Sequence, residues 1–178
     1  QNMNIICDLA TDYSVSANGL VWTFQIRDDA FFTDGSKVSA EDVAFTFLTA
    51  KNSGSIVDLT ALTDCIAKDE TTVEFHLKEP QSAFLYTVAA TGIVPQHAYS
   101  KTYGDNPIGS GPFQLTQWDK GQQIILEANE NYYGQIPYFK KVVILFLSED
   151  AALAAAQTGQ LDMAITANHL ANQKIKGM

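Results

Sequence analysis

The sequence predicts a mixed α/β fold, α+β in character, in which a small antiparallel subdomain precedes a short βαβ unit. Three observations carry that expectation. "LVWTFQIR", residues 20–27, alternates apolar and polar side chains, the period of a half-buried strand. Ser39 stands three residues before Asp42, ahead of an apolar stripe, which is the signature of a helix start. "KKVVILFLS" runs into an alanine-rich segment and then into "LDMAIT", the strand–helix–strand order of a parallel unit.

Taken in order, the first element is weak: Ile5, Ile6 and Leu9 are apolar, but Asp8, Asp12 and Ser14 interrupt them. Asn18-Gly19 marks a turn. In the strand that follows, Leu20, Trp22, Phe24 and Ile26 share one face and Val21, Thr23, Gln25 and Arg27 the other, so one face covers a core. After a turn at Asp34-Gly35, the helix is expected over Ala40–Ala50, with Val43, Phe47 and Ala50 along one stripe and Ala44 and Leu48 beside it. A hairpin is expected next. Its strands are Leu62–Ala67 and Thr71–Leu77, Lys68-Asp69-Glu70 turns it, and Val73, Phe75 and Leu77 point inward. A short apolar helix covers Ala83–Ala90, and "GIVPQHAYS" reads as a brief strand, a proline turn and one helical turn.

Beyond Pro112, Phe113 and Leu115 alternate with polar residues, and Gly121 turns the chain into a further strand. Residues 141–147 are nearly all apolar, which is expected of a strand buried on both faces. Ser148 caps the next helix, Glu149 and Asp150 occupy its first turn where the helix dipole favours them, and Gly159 stops it. "LDMAIT" supplies the second buried strand. "HLANQKIKGM" carries no closing element and reads as a frayed or cut end.

A 178-residue chain with 46% hydrophobic residues can build a core without staples. Its net charge of −9 and pI near 4.6 argue against nucleic-acid binding, which needs a positive footprint. No apolar run reaches the roughly 18 residues of a membrane span. Cys7 and Cys65 form neither a disulfide framework nor a close metal-ligand pair. Two buried thiols are the preferred expectation, and one disulfide stays open.

Candidate chemistry is sparse. "DNPIGSGPFQL", residues 105–115, has the glycines of a phosphate loop, but Gln114 stands where a dinucleotide fingerprint needs its third glycine. An alternating strand follows, not a helix, and no Walker A pattern is present. Gly109, Gly111 and Pro112 therefore read as a shaped connection, with the glycines admitting φ values other residues resist. Ser110 lacks nucleophile-elbow spacing. His76 reads as a solvated strand residue, His97 as a cap or surface residue, and His169 lies in the tail. Asp34, Glu41 and Asp42 are accounted for by a turn and a helix start. Trp118, Tyr132, Tyr133, Tyr138 and Phe139 could line a ligand surface or plug a core.

Several stretches together resemble a known family. "GLVWTFQIRDDAFFTDGSKVSAEDVAFTF", residues 19–47, is similar to the signature of the extracytoplasmic solute-binding proteins of peptide and nickel ABC importers. It departs from that pattern at Asp28-Asp29, where members often carry lysine and glycine. "TTVEFHLKEP", "NPIGSGPFQLTQWDKGQQIILEANENYYG" and "EDAALAAAQTGQLDMA" continue the resemblance in order. The resemblance implies a periplasmic-binding-protein-like lobe. Residues 1–108 would form the smaller subdomain attached to the first lobe, and 109–178 part of the main α/β lobe. Members are much longer, so an internal fragment is expected, with the second lobe absent. "NPIGSGPF" becomes a joint within a lobe.

The implied function is solute capture without catalysis. The solute would be a peptide or another small polar compound, nickel chelates included, handed to ABC permease subunits of the membrane. No cofactor, metal ligand or catalytic residue is implied. The implied location is extracytoplasmic: the periplasm, or the outer face of the cell membrane through a lipid anchor on the full-length protein. Gly92, Ile93 and Val94 are the candidate ligand-binding residues, because their counterpart borders the cleft. The alternatives are a sensory or chaperone-like relative of the same fold and, less favoured, a hydrolase.

Overall fold

The computed structural model describes residues 5–53 and 57–165. The chain divides into two compact units, one of Gln1–Leu115 with Glu127–Lys141, the other of Thr116–Leu126 with Val142–Met178. The described part is a mixed α/β fold with two small sheets.

The first unit is built on a four-stranded sheet. Its strands are β1 (Ala10–Val15), β2 (Val21–Ile26), β3 (Leu62–Ala67) and β4 (Thr72–Leu77), in the order β1-β2-β4-β3. All three pairings are antiparallel. The β2–β4 register sets Trp22 opposite Phe75 and Phe24 opposite Val73, so the apolar positions of both strands fall on one face. Helix α1 (Ala40–Asn52) covers that face through Val43, Ala44 and Phe47. The Phe47 ring meets Phe75 edge-on with centroids 4.8 Å apart, a preferred aromatic geometry. Phe84, the buried residue of α2 (Phe84–Ala89), closes over Trp22 and Phe75.

The local signals explain why these elements form. Ser39 accepts the Asp42 N–H while the Asp42 side chain accepts the Ser39 N–H, a closed capping box. In the β3–β4 turn, Asp69 Oδ1 accepts from the N–H groups of both Thr71 and Thr72. Gly19 and Gly35 adopt φ of +71° and +88°, the left-handed region their turns require. Phe32, fully buried with Ala30 and Val38, forms a second small core under the loop before α1.

Two expectations are corrected here. The weak first element is a full strand, β1, with a register shift between Ala10 and Asp12. Its apolar face is Ala10 opposite Ile26 and, beyond the register shift, Tyr13 and Val15 opposite Phe24 and Trp22, too few and too unevenly spaced to stand out as a periodic pattern. The brief strand in "GIVPQHAYS" does not form; residues 91–95 pair with no strand, and a 3-10 turn follows at Gln96–Ala98. Pro95 stands immediately before that turn, where its missing N–H costs no hydrogen bond.

The second sheet has the order β5-β6-β7, from β5 (Phe113–Asp119), β6 (Gln123–Ala128) and β7 (Lys141–Leu145). Three residues join β5 to β6, with Gly121 at φ +79°, a connection that only antiparallel neighbours allow. Helix α3 (Glu149–Gln157) begins at Ser148, whose hydroxyl accepts the Ala151 N–H. It ends with Gly159 N–H on Ala156 and Gln160 N–H on Ala155, the paired bonds of a Schellman stop.

Here too the structure corrects the sequence. Residues 143–147 are each 42–47% exposed, so β7 is an uncovered edge strand and not one buried on both faces. No strand follows α3 among the described residues, which leaves the βαβ unit without its second strand. Met163 and Ile165, which that strand would have buried, are 78% and 91% exposed. An apolar run reports a capacity for burial; the partner that realises it must come from elsewhere in the structure. Thr166, His169 and the tail lie outside the described residues. None of the described helices is long and apolar enough to cross a membrane.

Candidate functional site

A cavity of about 460 Å³ opens in the first unit. Its floor is the part of the core face that α1 leaves uncovered: Tyr13 of β1, Phe24 and Ile26 of β2, and Val73 and Phe75 of β4, with Val43 and Phe47 of α1 beside them. One wall is the end of α2 and the stretch Thr91–Ile93. Another is Gly109–Gly111 with Tyr133, and the segment Ile5–Leu9 completes the rim. The lining is predominantly apolar, and Asp8 is its one charged side chain.

Each wall is held from behind. The loop 108–112 spends its carbonyls inward. Ile108 accepts from the Tyr103 hydroxyl, Gly109 from Thr33 N–H at 2.9 Å, Gly111 from Asn129 Nδ2 at 2.9 Å and Pro112 from Asn129 N–H at 2.8 Å. A strand follows this loop instead of a helix, so it offers no helix N-terminus to a phosphate. Neither Gly109 nor Gly111 has a positive φ, and a Cβ at either would meet nothing within 4 Å. The expectation that these glycines serve unusual φ values is therefore wrong. What their missing side chains leave bare is backbone facing the cavity.

Tyr133 is set by Arg27, whose guanidinium carbon lies 4.1 Å from the ring centroid. Arg27 is itself fixed by Asp29, Nε to Oδ1 at 2.5 Å and Nη2 to Oδ2 at 3.0 Å. Burial raises the Tyr133 phenol well above its ordinary value, and the negative charge of Asp8 adds to the effect. The phenol thus stays a neutral hydrogen-bonding group at the cavity wall.

Of the three residues expected at a ligand site, Gly92 and Ile93 line the cavity. Val94 does not; its backbone turns to α1, with its N–H on Thr46 Oγ1 at 3.0 Å. Tyr133 is the aromatic candidate that reaches the cavity, whereas Tyr138, Phe139 and Trp118 are exposed. His76 lies 3.3 Å from Glu74 on the strand surface. His97 holds Asp34 at 2.8 Å. Cys7 is exposed, against the expectation of two buried thiols, while Cys65 is buried and both are free. Burial pushes the Cys65 thiol far above its ordinary value, which makes it inert. Among the described residues no group of three or more His, Cys, Asp or Glu could hold a metal ion.

Sequence reasoning missed Asn129, the buried residue that ties loop 108–112 to the chain after β6, and it missed Asp8 at the cavity rim and Arg27 as the support behind Tyr133. Asn129 sits in "NENYYG", inside a stretch that carries the family resemblance, but nothing local marks it as the tie to a distant loop. Its role depends on two carbonyls at least 17 residues away in the chain.

Comparison with known proteins closes the identification. The chain is 37% identical over 157 residues to the probable D,D-dipeptide-binding periplasmic protein DdpA of Escherichia coli (strain K12), covering 82% of this chain and 30% of that protein. NikZ from Campylobacter jejuni, solved in complex with Ni(L-His), superimposes with a TM-score of 0.85 at 29% identity, covering 90% of this chain and 35% of that one. The oligopeptide-binding protein AppA from Bacillus subtilis, solved with a nonapeptide, gives a TM-score of 0.77 at 30% identity, covering 89% and 35%. The chain thus spans about a third of the length of the relatives it matches. The family model described as "Bacterial extracellular solute-binding proteins, family 5 Middle" matches residues 4–177, and the chain belongs to that family.

Proposed function

We propose that this chain is part of a solute-capturing protein of an ABC importer, located outside the cytoplasm and doing no covalent chemistry. The observation that carries the reading is the family match over residues 4–177. The cavity adds to it: an apolar floor, backbone-rich walls at Gly92 and Gly109–Gly111, and one acidic group at the rim. Such a surface suits a ligand that presents apolar groups and hydrogen-bonding amides together. A peptide has that chemistry, and AppA was solved with one. A nickel chelate is the second solute class, since NikZ was solved with Ni(L-His).

In this reading Gly92 and Ile93 face the solute, and Val94 sets their position. Residues 1–108 act as the smaller subdomain on a first lobe, and residues from 109 onward enter the main α/β lobe through the joint at Gly109–Pro112. Capture would shift the full-length protein toward a closed form recognised by the permease subunits.

The test is a thermal-shift screen of the full-length protein against D-alanyl-D-alanine, longer peptides, nickel–histidine chelates and sugars. A specific solute raises the melting point by linkage. A flat response across all four classes would overturn the reading.

A further inference from the structure

We infer that Thr46 and Asp42 are positioning residues for the cavity rim: they grip the chain at Val94 and Gln96 and so set Gly92 and Ile93 in place. Both belong to α1, and they are 5% and 7% exposed respectively. A polar side chain at such depth is costly unless its hydrogen bonds are made. Here the partners are remote backbone groups, 48 and 54 residues along the chain.

Thr46 Oγ1 donates to the Asp42 carbonyl at 2.7 Å, the common bond of a helical threonine to its preceding turn. The helix asks nothing more of it, yet the same oxygen accepts the Val94 N–H at 3.0 Å. Asp42 shows a parallel division. Its Oδ2 accepts the Ser39 N–H at 3.0 Å and the Ser39 hydroxyl at 2.7 Å, which completes the helix start. Its Oδ1 accepts the Gln96 N–H at 2.9 Å, a bond the capping box does not need. Residues 91–95 join no sheet, so side chains of α1 supply what a strand ladder would have supplied. Val43 and Phe47, the next residues on α1, line the cavity floor. One helix therefore registers floor and rim together.

The inference rests on the solute-capture reading only for its consequence, and its test needs no solute. Hydrogen–deuterium exchange of the full-length protein, followed by mass spectrometry of the stretch 92–96, reads the grip directly. Thr46→Val keeps the volume and removes the hydroxyl; exchange in 92–96 should quicken at least tenfold while β2 and β4 keep their protection. Thr46→Ser keeps the hydroxyl and should restore the original rate. Should the valine variant not fold, Asp42→Asn leaves one acceptor oxygen for the N–H groups of Ser39 and Gln96 and should loosen the same stretch. Unchanged exchange in 92–96, equal quickening in β2 and β4, or no rescue by serine would overturn the inference. A loosened rim with a flat solute screen would count against the transport reading alone. An unchanged rim with a clear solute response would count against the grip alone.

Discussion

Gly19 and Gly109 look alike in sequence, each beside a polar turn residue, yet the structure separates them. Gly19 sits at φ +71° with a built Cβ only 3.1 Å from Pro80 Cβ. Alanine there should cost about 1–2 kcal/mol from the left-handed backbone alone. Gly109 has neither a positive φ nor a neighbour within 4 Å, so Gly109→Ala should be neutral or stabilise by up to about 1 kcal/mol through the unfolded chain. Urea midpoints of the two variants check this, and equal losses would refute the distinction. The turn carboxylates make a second residue-scale prediction. Hydrogen bonds from Thr60 hold Asp58 below its ordinary value, those from Thr71 and Thr72 do so for Asp69, and those from Gln117 and Gln123 for Asp119. At Asp34, burial pulls upward but bonds from Ser36 and His97 outweigh it. A carboxylate whose pKa is depressed on folding stabilises the protein above its unfolded value, and that stability is lost as pH falls through the folded value. Melting temperatures should therefore drop as pH goes below 3.8, the ordinary value. Asp69→Asn should make the acid limb shallower, because the amide oxygen still accepts but no longer titrates.

At the scale of elements, α1 is held by two unequal devices. The capping box at Ser39 and Asp42 is local, and Ser39→Ala should cost about 1 kcal/mol. Phe47, fully buried against Phe75, joins the helix to the sheet, and Phe47→Ala should cost about 3–5 kcal/mol. Chemical denaturation of the two variants should preserve that order. A larger loss at Ser39 would mean that the cap, not the packing, anchors the helix. The ordering has a general reason: a helix of this length is marginal in isolation, and its buried face does most of the stabilising.

For the molecule as a whole, the uncovered apolar strand is the main liability. Residues 143–147 form a continuous apolar run at 42–47% exposure, which covers the end of β7, a strand at the edge of its sheet, and the two residues after it. Exposed apolar edges promote self-association. The 178-residue chain should associate as its concentration rises, and Ile144→Lys should suppress this in sedimentation experiments. A chain that stays monomeric at high concentration would show that the run is sheltered.

Much of the first unit, and both ends of α3 in the second, were legible in the residues themselves. The alternation in β2 and β4, the Ser39–Asp42 box, the turn at Asp69 and the Ser148 and Gly159 ends of α3 all express physics confined to a few neighbouring residues: side-chain period, capping bonds and turn conformation. Gly92 and Ile93 were reached through the family pattern, and their place on the cavity wall came only with the structure. The same holds for β1, which is a strand because β2 lies beside it, and for β7, whose apolar run implied a burial that no described element provides. Asn129, the Arg27–Tyr133 stack and the second oxygen of Asp42 act across long stretches of chain. Their partners are chosen by how the backbone folds back on itself, and no short window of sequence contains both ends of such a contact.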